Sequence, residues 1–276
     1  ILLKVAQREL SLTLSSRQED AVRKAFIHLV SIVTGGPGTG KTTVQKVMLH
    51  IYEKLGGTDV LLTAPTGRAS RRMAESTGHM EAMTMHSALG LTCDEDSAET
   101  EDMLEAGFII ADEFTMSDMR LSFEFFCHIR KGSRLVLVGD IDQLPSVGPG
   151  NVFRELVQCG VIPVTVLDTV FRQGEDSRII TNAHRMQENN TFLDYGEGFT
   201  FIPAKNAKTA GDLVVELYRT CTDRFGTDQV QVLSPYRRKG DASVNALNER
   251  LWEICSRKED GSMEIQSGGH TFRIGD

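Results

Sequence analysis

The chain has 276 residues, 40% of them hydrophobic and 25% charged, with a formal charge of −8. That length carries one large or two ordinary domains, each with its own core, and two is the expectation. No apolar run approaches a membrane span, and the acidic balance excludes coating of nucleic acid by bulk charge, so any grip on a phosphate backbone has to come from local basic patches.

In chain order, Ser15 or Ser16 can cap a first helix whose apolar residues Ala21, Val22, Ala25, Phe26 and Leu29 recur at helical spacing. Gln18 sits in its first turn. Its amide is either solvated or, a short way ahead of a glycine-rich loop, able to read an adenine edge with a paired donor and acceptor. Next comes IVTGGPGTGKTT, an apolar strand over Ser31 to Thr34 that turns through glycines into a helix from about Thr42 to Leu55. Gly35, Gly40, Lys41 and Thr42 satisfy the G-x-x-x-x-G-K-[ST] pattern, in which glycines let backbone N–H groups face phosphates. Gly36, Pro37, Gly38, Thr39 and Thr43 complete the loop. Lys41 would reach the β- and γ-phosphates, Thr42 would put its hydroxyl on Mg²⁺, and the helix would aim its positive end at the anion.

Val60 to Thr63 reads as the next strand, which with the intervening helix makes a right-handed βαβ unit and a parallel sheet. Ligands gather at the carboxyl ends of such strands, where Pro65, Thr66, Gly67 and Arg68 lie. Arg68 is the better candidate for a backbone phosphate contact, while Arg71 and Arg72 are equally well a solvated helix face. Thr84 and His86 follow in TMHSALG, where a lone histidine decides nothing by itself. Seven acidic residues between Asp94 and Glu105 predict an exposed loop or small hairpin. Phe108 to Ala111 reads as a buried strand that ends in Asp112 and Glu113. The aspartate suits Mg²⁺ and its water shell, and the glutamate suits a general base that takes a proton from an attacking water.

Arg134 to Gly139 is the next parallel strand, opening into DIDQLPSVGPG, where the Gln143 amide would meet the γ-phosphate and its water. A helix over Val152 to Gln158 closes the first domain. Thr165 to Leu167 reads as a strand leading to Phe171, Arg172 and Gln173, and Arg172 is a candidate for stabilising transition-state charge. Beyond it the pattern predicts helices near Ser177 to Gln187 and Thr209 to Arg219, strands near Phe199 to Ile202 and Val230 to Leu233, and an amphipathic helix carrying Val244, Leu247 and Leu251. Arg237, Arg238 and Lys239, beside Tyr236, form either a nucleic-acid contact or a solvated cluster. The five cysteines are widely spaced with no C-x-x-C pair, which suggests neither a disulfide framework nor a zinc site and fits a reducing cytoplasm.

Taken together, LSSRQEDAV, GGPGTGKTT, TAPTGRAS with TMHSALG, IIADEFTMSD, LVGDIDQLPSVGPG, VFRQ with NAHRM, and QVLSPYRRKG with ALNERL resemble the superfamily 1 helicases, and within them the RecD type, including the RecD/TraA-like group. The resemblance implies an α/β phosphate-loop NTPase: a RecA-like parallel sheet flanked by helices over residues 1–165, with a short acidic insertion at about 92–106. An incomplete second RecA-like domain is expected over 166–276, ending at the start of an inserted small β domain and before the family's last motifs. It implies ATP and Mg²⁺ at the domain interface and 5′ to 3′ movement on single-stranded DNA, coupled to unwinding in repair or recombination.

Residue by residue, Gln18 would contact adenine, Lys41 and Thr42 the phosphates and metal, and Asp112 and Glu113 metal and water. Gln143 would sense the γ-phosphate, and Arg172 would be the arginine finger. Pro65, Thr66, Arg68, Thr84, His86 and, from the basic triplet, Arg237 would lie on the DNA side. Other subunits of a helicase-nuclease complex are candidate partners, and no membrane is. The rival reading is a nucleotide-dependent DNA-binding subunit or switch of a larger complex with little unwinding of its own.

Overall fold

In the computed structural model, which describes residues 1–78, 81–91, 103–169, 177–255, 264–267 and 270–273, the chain forms two compact units, Ile1–Thr191 and Phe192–Asp276. The first is built on six strands: β1 (Val30–Gly35), β2 (Val60–Ala64), β3 (Ala82–Thr84), β4 (Phe108–Ala111), β5 (Arg134–Gly139) and β6 (Val164–Leu167). They lie in the order β3-β2-β4-β5-β1-β6, and every pairing is parallel. The helices of this unit are α1 (Leu2–Glu9), α2 (Ser16–Ile27), α3 (Lys41–Lys54), α4 (Gly67–Thr77), α5 (Met85–Ala88), α6 (Met119–Cys127), α7 (Val152–Gln158) and α8 (Arg178–Gln187).

A parallel strand covered on both faces has no side to leave polar, which is why β4 reads FIIA without alternation. Its residues are all buried, and alternate ones serve different cores. Phe108 and Ile110 pack with the apolar faces of α1, α2 and α3, whereas Ile109 and Ala111 pack with Met85 of α5, Leu121 and Phe125 of α6 and Phe153 of α7. Phe108 anchors the first core between two stacked rings, Tyr52 at 4.9 Å and Phe26 at 5.7 Å between centroids. Ion contacts then tie the N-terminal helix down: Glu9 of α1 accepts from His50 at 2.6 Å and from Lys54 at 3.1 Å, both on α3.

Register decides what this sheet can hold. Leu137 of β5 stands level with Ala111 of β4 on one side and with Ile32 of β1 on the other. Thr63 of β2 is level with Ala111 in turn. Four chain exits therefore leave one edge of the sheet together, carrying the glycine loop after β1, Asp112 after β4, the Gln143 loop after β5, and Thr66 after β2.

The second unit departs from expectation. It holds α9 (Ala207–Phe225), α10 (Val244–Cys255) and an antiparallel pair, β7 (Glu264–Ser267) with β8 (His270–Arg273). The strands expected at Phe199 to Ile202 and Val230 to Leu233 are not formed. Phe199 makes one isolated bridge with Gly196, while Phe201 and Leu233 stay largely exposed. An extended segment needs a neighbour for its N–H and C=O groups, and among the described residues none is offered there. The expected boundary at 165/166 also shifts: β6 pairs with β1 from Ile32↔Val164 to Gly35↔Leu167, so it completes the first sheet. The acidic segment 92–102 and residues 170–176, Arg172 among them, lie outside the described residues. Among those described, no helix is long and apolar enough to cross a membrane.

Candidate functional site

The capping box that starts α2 fixes the floor of the glycine loop. Ser15 accepts from the Gln18 backbone N–H, and the Gln18 side-chain oxygen accepts from the Ser15 N–H at 3.0 Å. The other end of that amide, buried with the rest of Gln18, donates to the Thr39 carbonyl in the glycine loop at 3.0 Å. Gln18 thus ties α2 to the loop. Its oxygen keeps a second lone pair and its nitrogen a second N–H, so the clamp uses only half of the hydrogen-bonding capacity of the amide.

Gly40 makes this clamp possible. Its φ of +85° is open to glycine at little cost, and a Cβ there would run into the Gln18 amide nitrogen. Gly40→Ala is expected to cost about 1–2 kcal/mol for the left-handed backbone alone and to push the Gln18 amide off Thr39. A thermal melt and a nucleotide titration of this variant measure the two effects, and unchanged values for both would remove the clamp from the account.

Within the loop, Thr39 donates to the Gly36 carbonyl at 2.8 Å, and the Lys41 ammonium donates to the carbonyls of Gly35 at 2.5 Å and Gly36 at 3.1 Å. The α3 N-terminus opens directly behind it, with Gly40 at the cap position and no side-chain cap to take up its free N–H groups. Positive charge and open donors face an open cavity of about 600 Å³. Its walls bring together Gly36, Pro37, Gly38, Gly40, Lys41, Thr42 and Thr43 with Asp112, Glu113 and Gln143. Most residues singled out for phosphate, metal and water chemistry thus share one cavity; Gly35 and the buried Thr39 lie behind its wall, and Arg172 is outside the described residues.

The carboxylates are poised by burial. Burial pushes the Asp112 carboxyl up, against the pull of the Gln45 amide, the Glu113 N–H and the charges of Lys41 and Arg72. The Glu113 N–H donates to Asp112 Oδ1 at 2.9 Å. Glu113 is raised too, by burial first and then by the Asp112 charge, and one of its oxygens, Oε2, is buried without a partner. Its backbone lies in the left-handed region with φ of 49°, where the chain swings from β4 into a short 3-10 turn, Phe114–Met116.

The DNA-side candidates divide. Thr66 caps α4 by accepting from the Ala69 N–H at 3.3 Å, and both it and Arg68 line the cavity. Pro65, Thr84 and His86 are not among its lining residues; Thr84 caps α5 through the Ser87 N–H. Arg237 sits on an exposed stretch of the second unit. Arg72, for which the sequence leaves a solvated helix face equally open, also lines the cavity from α4, as do Met73 and Ser76, which the sequence does not single out. The signal was the helical spacing of 68, 72 and 76, which continues the face that Arg68 presents.

A family model described as "AAA domain" matches residues 13–201. The chain is 34% identical over 251 residues to an "ATP-dependent RecD2 DNA helicase" of Deinococcus radiodurans, covering 90% of this chain and 33% of that protein. It is 35% identical over 162 residues to a "RecBCD enzyme subunit RecD" of Mycobacterium tuberculosis, covering 51% of this chain and 28% of that subunit. The chain thus spans about a third of the length of these relatives. In fold it is similar to a Pif1 from Bacteroides solved bound to single-stranded DNA, with a TM-score of 0.52 at 18% identity over 92% of this chain and 58% of that one.

Proposed function

The chain belongs to the AAA domain family and has RecD-type helicases as relatives, and on that premise we propose that it is the ATP-hydrolysing motor of a DNA helicase. It would bind single-stranded DNA, move along it 5′ to 3′, and serve repair or recombination in the cytoplasm. One observation carries the reading: the glycine loop with Lys41, the Asp112–Glu113 pair and Gln143 line one cavity at one edge of a parallel sheet.

The chemistry follows from these side chains. Loop N–H groups and Lys41 take the phosphates, exchanging the Gly35 and Gly36 carbonyls that now hold the ammonium for phosphoryl oxygens. Glu113, with a raised pKa and a buried unpartnered oxygen, accepts the proton of an attacking water. Gln143 orients that water by its amide. The donor set fits Mg²⁺, a hard cation that favours oxygen: Thr42 offers a hydroxyl and Asp112 a carboxylate, and nucleotide phosphates and waters complete such a shell. Among the described residues no group of three or more His, Cys, Asp or Glu forms an all-protein metal cage, as a phosphate-loop metal would not need one. When bound, Mg²⁺ would draw negative charge from the β- and γ-phosphates. Arg172 is proposed as the arginine finger, and Pro65, Thr66, Arg68, Thr84, His86 and Arg237 as the DNA side. One relative is named as a subunit of a larger enzyme, which supports a multi-subunit setting, and a helicase-nuclease complex is proposed as that setting.

The test is ATP hydrolysis by this chain with and without a single-stranded oligonucleotide. DNA-stimulated turnover is the expected result. Turnover indifferent to DNA, or none at all, would overturn the motor reading and leave a nucleotide-dependent switch.

A further inference from the structure

Helix α4 presents an arginine to the nucleotide cavity that the phosphate-loop and DNA-contact assignments above leave without a role. Thr66 caps its first turn, and Met73, buried in the first core, pins its middle. On a helix held at those two points, Arg72 projects beside Lys41, Asp112 and Glu113 as a lining residue of the same cavity. Among the described residues its guanidinium makes no hydrogen bond or ion pair. A planar cation placed next to two carboxylates and a phosphate loop is suited to bidentate contact with phosphoryl oxygens. The adjacent Arg71 is not on this wall.

We propose that Arg72 is a second phosphate-binding cation of the site, reaching the terminal phosphate of a bound nucleoside triphosphate from the α4 side while Lys41 reaches it from the loop. The contact deepens the nucleotide reading and rests on it. It is supplied within the first unit, so the site discriminates triphosphate from diphosphate without help from residues of the second. The guanidinium charge also acts on both members of the acidic pair, and it thereby offsets the repulsion that Asp112 and Glu113 exert on an incoming anion.

The experiment is equilibrium binding of a fluorescent non-hydrolysable ATP analogue and of fluorescent ADP to the wild-type chain, Arg72→Gln, Arg72→Lys, Arg71→Gln and Lys41→Ala. Arg72→Gln is expected to weaken the triphosphate by roughly ten- to a hundredfold, as loss of a charge-assisted contact does, and the diphosphate far less. Arg72→Lys should recover part of that loss, and Arg71→Gln should match wild type. Binding of a single-stranded oligonucleotide without nucleotide should be unchanged in Arg72→Gln. Equal loss for both nucleotides, the same loss in Arg71→Gln, or loss of oligonucleotide binding in place of triphosphate binding would overturn the assignment. Lys41→Ala keeps the two readings apart: if it binds triphosphate as wild type does, the cavity is not the nucleotide site at all, whereas loss in Lys41→Ala with none in Arg72→Gln removes Arg72 alone.

Discussion

Lys41→Ala is expected to lower ATP turnover by about a hundred- to a thousandfold, the usual effect of deleting one donor aimed at developing charge. Nucleotide affinity should fall as well, because the ammonium lines the cavity together with the glycine loop. The fold should survive. Lys41 stands at the first turn of α3, and among the described residues its ammonium bonds only the Gly35 and Gly36 carbonyls, which lie in the glycine loop beside the open cavity. The loss in stability should be about 1 kcal/mol or less. Parallel nucleotide titration and urea melts check both halves, and undiminished turnover would move the phosphate site elsewhere.

Glu113→Gln is expected to separate binding from chemistry. The amide keeps the shape of the side chain but cannot take a proton, so turnover should drop by about a hundred- to ten-thousandfold while the triphosphate still binds. Stability should move the other way. Burial and the Asp112 charge both raise the Glu113 pKa above its ordinary value of 4.5, so ionising this group in the folded protein is unfavourable. Wild type has the stabilising protonated form below that ordinary value and loses it as pH rises through the raised folded value. The melting temperature of Glu113→Gln should therefore exceed that of wild type at neutral pH, with the gap closing as the solution is acidified towards 4.5. Turnover near wild type in this variant would mean that another group activates the water.

Much of the first unit was legible because its signals are local. FIIA, RLVLVG and the run before the glycine loop are unbroken apolar stretches closed by turn formers, and a strand buried on both faces can be written in few other ways. Phe108–Ala111, Arg134–Gly139 and Val152–Gln158 carry the expected bounds. The glycine loop, the acidic pair and Gln143 follow from motif chemistry, and the parallel register brings them together. What was not legible depends on partners distant in sequence. Phe199 to Ile202 and Val230 to Leu233 have strand-like composition, but a strand forms only where another strand meets it. The task of Gln18 depended on where the Thr39 carbonyl points, and that of Arg72 on which face of α4 turns to the cavity. Neither direction is written in the residue types. Helix α1 is not legible for a related reason: much of what holds it lies on α3, some forty residues on.

The backbone at Glu113 carries a further consequence. A glutamate with φ of 49° sits where side chains with a Cβ are held at a cost of about 1–3 kcal/mol, and its buried carboxylate adds to that cost. Stability alone would favour glycine or asparagine at this position. Any programme that selects variants of this protein for heat resistance without also demanding turnover is therefore expected to replace the proposed general base early, and on the proposed function the hardiest survivors would be well-folded proteins that hold ATP and do not spend it.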